Sequence, residues 1–373
     1  MIFATLVSQI FHMLKHLFVC LLLVVFLSNC SKDPDPVKPV EITSKVLTEN
    51  LEFPWEIAWG SDNNIWMTER GGQISRVDPA TGDVTPILNI SEVVSQGEGG
   101  LLGMALHPNL AATPNLFVSY CYDKGGVYTE KIVKYTIAGS SLVNPVILLD
   151  DIKAANIHNG SRLIISGDKL FISTGDASDQ SLPLNTTSVN GKILRINLDG
   201  SIPSDNPDPS SPVWSIGHRN AQGLTFVGDS LVSSEHGPDS DDEINTISRG
   251  GNYGWPTIKG PCNTAEEQTF CNANNVINPL ISWTPTIAVS GMEFYNNQFI
   301  PQWMNSLLVC TLKGSKLVQL KLSQSSVPAV VSSTDFFTNT YGRLRDICLA
   351  PDGKIYICTS NGDNDKIIEI SKE

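Results

Sequence analysis

The sequence predicts an all-β chain folded as a six-bladed β-propeller, and three observations carry that prediction. A unit made of a short apolar strand, a turn and a second apolar strand recurs six times. Gly, Pro, Asn and Asp fill the turns between strands. No helical periodicity of useful length appears after residue 30.

The copies can be read in order. WEIAWGSDNNIWMTER occupies 55–70 and LGMALHPNLAATPNLFVSY occupies 102–120. SRLIISGDKLFISTGD (161–176) and QGLTFVGDSLVSSEHG (222–237) follow. The fifth copy, SGMEFYNNQFIPQWMNSLLVCTLKG (290–314), is longer, and LRDICLAPDGKIYICTSNGD (344–363) completes the set. The first strands centre near Ile57, Ala105, Ile164, Leu224, Phe294 and Ile347, a blade-like period of roughly 50–70 residues. Further strands such as KIVKYTI (131–137), KILRINL (192–198) and KLVQLKL (316–322) fill the intervals.

The N-terminus has a different character. Lys15 and His16 precede an unbroken apolar run, Leu17 to Leu27, that ends at Ser28-Asn29-Cys30. That is the pattern of an export signal, and the run is short for a membrane span. The Leu-Ser-Asn-Cys ending resembles a bacterial lipoprotein box, with Cys30 as the lipidated N-terminus; ordinary cleavage nearby is the alternative. The expected organisation is a signal over 1–30, a Pro- and charge-rich tether over 31–44 and the propeller over 45–373. The protein is expected to be exported, facing the periplasm or held on the outer membrane as a lipoprotein.

The chain carries 25 basic and 38 acidic side chains, and residues 1–30 contain one Lys and no acid. The mature chain is therefore more acidic still, which opposes nucleic acid and anionic membrane as partners. Its only expected link to a membrane is an anchor at Cys30. Cys262 and Cys271 bracket the polar loop CNTAEEQTFC, and export permits a disulfide there. Cys121, Cys310, Cys348 and Cys358 lie in apolar strand-like runs and are expected to be buried small hydrophobes.

In a propeller, equivalent loops of every blade converge over one end of the axis. The residues preceding the first strands are Trp55, Glu98, His158, Arg219-Asn220, Thr286, and Arg343 with Arg345. The second-strand ends contribute Glu69-Arg70, Asp176, Glu235-His236 and Lys313. Arg219, Lys313, Arg343 and Arg345 stand out in so acidic a chain. Four converging cations repel one another unless carboxylates or a bound anion answer them. Pairing with Asp176, Glu69 or Asp346 is the structural alternative. His107, His218 and His236 are expected to be structural. The acid-rich stretch after Gly237-Pro238 is no EF-hand, because its sixth and twelfth positions from Asp239 are Ile244 and Gly250.

The motifs GEGGLLGMALHP, HNGSRLIIS, NGKILRINLDGSIPSDNP, GHRNAQGLTF, EHGPDSDDEINTISRGGNYGWP and GRLRDICLAPDGKIY occur in this order between Leu51 and the C-terminus. Together they resemble the soluble quinoprotein sugar dehydrogenases. The resemblance implies a six-bladed propeller carrying pyrroloquinoline quinone (PQQ) and Ca²⁺ above its channel. It implies an aldose sugar as substrate, oxidised at C1 to an aldonolactone, and an external electron acceptor, a quinone or cytochrome.

By motif, the resemblance makes His158 the general base and Asp176 the acid that supports it. Arg219 and Asn220 fall at the quinone oxygens, Arg219 also stabilising charge that develops there. Lys313, Arg343 and Arg345 fall at the cofactor carboxylates. Thr286 and Trp283 fall at further cofactor contacts, and the carbonyls of Gly237 and Pro238 fall at the Ca²⁺. Glu98 departs from the pattern, standing where soluble glucose dehydrogenase has Gln. Sugar specificity is expected from the loops 177–190 and 256–283. Two other readings of the same fold are a non-catalytic binding module and a Ca²⁺-dependent sugar lactonase.

Overall fold

The computed structural model describes residues 38–325 and 328–373. Among them, twenty-four strands form six four-stranded antiparallel sheets. Blades 1 to 5 span residues 54–89, 101–153, 160–216, 221–283 and 289–336. Blade 6 combines the strands of 344–372 with Ile42–Leu51, which pairs along the last strand of the chain. The innermost strands are Pro54–Trp59, Leu101–Leu106, Gly160–Ser166, Ala221–Val227, Val289–Tyr295 and Leu344–Leu349. Each packs on the next, and Leu344–Leu349 returns to Pro54–Trp59, so the ring closes. All six centres read from the repeat fall inside these inner strands.

The core repeats as the blades do. Six of its buried apolar clusters lie one at each blade interface. Phe117 and Ile132 of blade 2 meet Leu163 and Leu170 of blade 3, and Ile57 and Met67 of blade 1 meet Cys348 and Tyr356 of blade 6. Alternation along each strand supplies one apolar row per face, so every blade can seal against two neighbours. The four free cysteines, Cys121, Cys310, Cys348 and Cys358, are buried as expected.

One boundary needs correction, and one element was not foreseen. Strand Ile42–Leu51 begins inside the expected tether, taking its last three residues into the ladder of blade 6. A helix also exists after residue 30: α1 (Ala265–Asn274). A capping box starts it, in which Thr264 Oγ1 accepts the Glu267 N–H at 3.2 Å and Glu267 Oε2 accepts the Thr264 N–H at 2.9 Å. With Cys271 its one buried residue, the helix has too short an apolar face to register as a period. Cys271 is bonded to Cys262, so the expected disulfide is present and pins the helix to its loop. The signal and Cys30 lie outside the described residues. Among those described, no helix is long and apolar enough to cross a membrane.

Candidate active site

His158 occupies the turn before the inner strand of blade 3 in a left-handed conformation, φ 64°. Gly175 lets that turn pack closely, since a Cβ there would lie 1.8 Å from the His158 carbonyl oxygen. His158 Nδ1 faces Oδ1 of buried Asp176 at 2.8 Å. The same carboxylate accepts the Ser178 N–H on Oδ1 at 2.8 Å and the Trp255 indole N–H on Oδ2 at 2.9 Å. An ionised carboxylate only accepts, so Nδ1 carries the hydrogen. Nε2, without a hydrogen-bond partner among the described residues, is left to take a proton. Glu98 Oε2 accepts the backbone N–H of His158 at 3.2 Å.

Arg219 and Asn220 enter the inner strand of blade 4 with their backbone N–H groups on the Glu235 carboxylate. His218 braces that carboxylate at 2.9 Å, the structural role expected of it. The Arg219 carbonyl accepts the Asp176 N–H at 2.8 Å. Its guanidinium donates to the His236 carbonyl at 3.1 Å and lies over the Trp255 ring, 5.4 Å from the centroid. Trp255 thus touches both the acid behind the base and the first cation of the ring. Asn220 Oδ1 accepts the Gly160 N–H at 3.0 Å, tying blade 4 to the turn that holds His158.

The other cations also meet neutral oxygens and no carboxylate. Lys313 Nζ donates to Thr286 Oγ1 at 3.1 Å, and Arg343 Nε to the Ser360 carbonyl at 3.0 Å. Arg345 Nη1 donates to Gln222 Oε1 at 2.6 Å and to Ser290 Oγ at 3.3 Å. Burial lowers the Arg345 guanidinium to about 10, which still leaves it charged at neutral pH. Of the three carboxylates in the alternative, Asp346 is paired with Arg162, Asp176 with His158, and Glu69 accepts the Glu52 backbone N–H, so none forms an ion pair with these cations.

A cavity of about 370 Å³ opens among these groups, its lining including Arg70, Glu98, His236, Arg343 and Arg345. A space of about 20 Å³, room for one water or ion, adjoins Arg219, Gly237 and Pro238. His236 lines both. His158, Asp176, Arg219, Asn220, Lys313 and Thr286 do not line the larger cavity, but Glu98, which holds the His158 N–H, and Leu312 and Ala288 do. Trp283 packs against the core cluster shared by blades 4 and 5 and is not brought to the cavity, because its strand sits at the outer edge of blade 4.

Four buried nitrogens here lack a hydrogen-bond partner: Arg219 Nε, Asn220 Nδ2, His236 Nε2 and Arg345 Nε. Leaving a buried polar group unpaired costs about 1–3 kcal/mol, so their concentration in one place marks a site built for a polar ligand. His236, expected to be structural, belongs to it. Burial, followed by the charges of Arg345 and Arg219, lowers its imidazole to about 3, so it stays neutral.

The acidic stretch after Gly237-Pro238 is bracing. Asp242 accepts the Gly237 N–H at 2.9 Å on one oxygen and the Ile287 and Ala288 N–H groups on the other. Asp241 takes the hydroxyls of Ser282 and Thr284. The carbonyl oxygens of Gly237 and Pro238 accept no hydrogen bond among the described residues, which suits a hard cation such as Ca²⁺. Among the described residues, no group of three or more His, Cys, Asp or Glu side chains converges to hold a metal.

A closed six-bladed ring, an imidazole supported by a buried carboxylate and four cations outside any direct ion pair describe a propeller with a polar site at one end of its inner strands. The match to Glucose / Sorbosone dehydrogenase covers residues 51–369, and the chain belongs to that family. It is 31% identical to quinoprotein glucose dehydrogenase B of Acinetobacter calcoaceticus, over 88% of this chain and 87% of that protein. It is 28% identical to the aldose sugar dehydrogenase YliI of Escherichia coli, over 88% of this chain and 92% of that one. Among solved structures, the PQQ-bound aldose sugar dehydrogenase from Streptomyces coelicolor superposes with a TM-score of 0.78 at 31% identity, covering 90% of this chain and 99% of the other.

Proposed function

We propose that this protein oxidises aldose sugars at C1 to aldonolactones, using pyrroloquinoline quinone held with Ca²⁺, and delivers the electrons to an external acceptor. The observation that carries this reading is the set of Arg219, Lys313, Arg343 and Arg345, whose direct hydrogen bonds go to neutral oxygens, with Arg219 joined to the His158–Asp176 pair through its carbonyl. A tricarboxylate cofactor is the complement of such a set. When bound, the quinone supplies the two-electron acceptor that no side chain here provides.

The chain's own residues have separable tasks. Lys313, Arg343 and Arg345 hold the cofactor carboxylates, and Arg219 and Asn220 offer donors to its quinone oxygens. Gly237 and Pro238 present carbonyl oxygens to the Ca²⁺. His158 Nε2 takes the proton of the anomeric hydroxyl, and Asp176 keeps the imidazole oriented and stabilises its charged form. A lactonase would need carboxylate metal ligands converging from several blades, whereas Glu56 and Asp346 are paired with Arg162, and among the described residues no group of three or more acids, His or Cys could hold a metal.

Reconstitution tests the reading. Protein purified without cofactor gains dye-linked aldose oxidation only when both PQQ and Ca²⁺ are added. Sugar oxidation driven by a nicotinamide cofactor, with none from the quinone, overturns it.

A further inference from the structure

The axial channel holds a second cavity, of about 270 Å³, at the opposite ends of the inner strands. Its walls include Trp59, Leu106 and Leu349, the last residues of their strands, whereas the cofactor cavity uses residues at strand starts. The two cavities share no lining residue. Trp55 stands between them, its ring facing the Arg162 guanidinium at 4.4 Å and that of Arg345 at 5.8 Å.

The polar groups of this lower cavity come from four blades. Arg162 of blade 3 reaches Glu56 of blade 1 and Asp346 of blade 6 through a single nitrogen, Nη1. Its Nε donates to the Gln222 carbonyl of blade 4 at 2.8 Å. Its Nη2 is left with no hydrogen bond, although the side chain is only 3% exposed. Trp59 Nε1, on the same wall, is also buried and unpaired. Glu293 of blade 5 adds a third carboxyl, bound only through Oε2 to Thr225 Oγ1 among side chains, at 3.2 Å. Met104, Met292 and Leu224 supply apolar surface between these groups.

The two side chains that carry these unpaired donors, Arg162 and Trp59, line a space that also contains carboxyl acceptors. An anion would answer the donors and be repelled by the carboxylates, and a cation would be opposed by Arg162. A hydroxyl both donates and accepts, so it can satisfy either kind of group without adding charge. Apolar walls with a few converging polar groups are the usual build of a small-molecule site, and the volume lies just below the range of about 300–1,000 Å³ typical of such sites. We propose that the lower end of the axial channel is a second binding site, distinct from the cofactor cavity, for a neutral polyol no larger than a monosaccharide. It does not depend on the redox reading of the upper site.

The test is calorimetric titration of the full-length protein, with no quinone or Ca²⁺ added, using xylitol and glucose. Xylitol has no anomeric carbon and cannot be a substrate for C1 oxidation. One saturable site is expected, weakened at least about tenfold, 1.4 kcal/mol, by Trp59→Phe and by Glu293→Gln and unchanged by Arg343→Ala. Trp59→Phe keeps the ring and removes the donor; Glu293→Gln is isosteric and carries the test if the first variant fails to fold. Absence of saturable binding by either polyol shows a channel holding water alone and overturns the inference. Binding lost in Arg343→Ala and retained in Glu293→Gln places the ligand in the upper cavity and overturns it equally.

Discussion

The indole N–H of Trp255 is bonded to Asp176 at 2.9 Å, on the carboxylate oxygen opposite the one that faces His158. Asp176 is therefore held from both sides, and its orientation toward the imidazole depends on a blade 4 residue. Trp255→Phe keeps a ring beneath Arg219 and removes one hydrogen bond to a charged group, of about 1.5–3 kcal/mol. We expect kcat to fall about 10–150-fold while quinone affinity changes little. Titration of both variant and wild type with PQQ at saturating sugar checks this; a variant with normal kcat means that Asp176 needs no such support.

His158→Gln and Lys313→Ala should fail differently. A general base contributes about 10²–10⁴-fold, so kcat of His158→Gln should collapse while the quinone still binds. Lys313→Ala removes a positive partner of the cofactor and should weaken quinone binding about 10–150-fold. Excess PQQ should then rescue Lys313→Ala and leave His158→Gln inactive. Rescue of both, or of neither, contradicts the division of roles.

Glu130 lies fully buried between blades 2 and 3, with Ser119 and Ser161 donating to Oε1 and nothing bonded to Oε2. Burial raises its carboxyl to about 7 from an ordinary 4.5. Below pH 4.5 both folded and unfolded chains hold the proton. Between 4.5 and 7 only the folded chain does, so stability falls as pH rises through that window and stays lower above it. Glu130→Gln should therefore stabilise the protein increasingly from pH 4.5 to 7, by at most about 3 kcal/mol. Melting temperatures of the two proteins across that range check it; a pH-independent difference means that Glu130 is ionised in the fold throughout.

Cys30→Ser should move the protein from the membrane fraction to the soluble fraction with specific activity unchanged, given the Leu-Ser-Asn-Cys ending and the Pro-rich stretch after it. Wild-type fractionation of the variant removes the lipoprotein expectation.

Much of the architecture was legible because a propeller repeats one unit, and each inner strand declared itself by the same apolar run. The cation ring was legible for the same reason, since equivalent loops must converge. Residues whose role depends on pairing across blades were not. Trp255 meets Asp176 seventy-nine positions away, and nothing in its own Gly-rich stretch marks that partner. Arg162 sits in the inner strand Gly160–Ser166, and its partners Glu56 and Asp346 come from other blades. His236 follows the acidic end of a strand, where nothing marks its unpaired nitrogen. Helix α1 announced itself only by Thr264 and Glu267, a signature that periodicity does not detect.

The strand Ile42–Leu51 has a consequence for how this protein matures. It is made near the start of synthesis, yet its ladder partner is the last strand, with Ile42 opposite Lys372. The outer edge of blade 6 must wait until the C-terminus arrives, and joining such distant segments is slow because the loop between them must first be ordered. The outer ladder of blade 6 therefore forms only once Lys372 has been made, and removing either of its two strands would open the same blade.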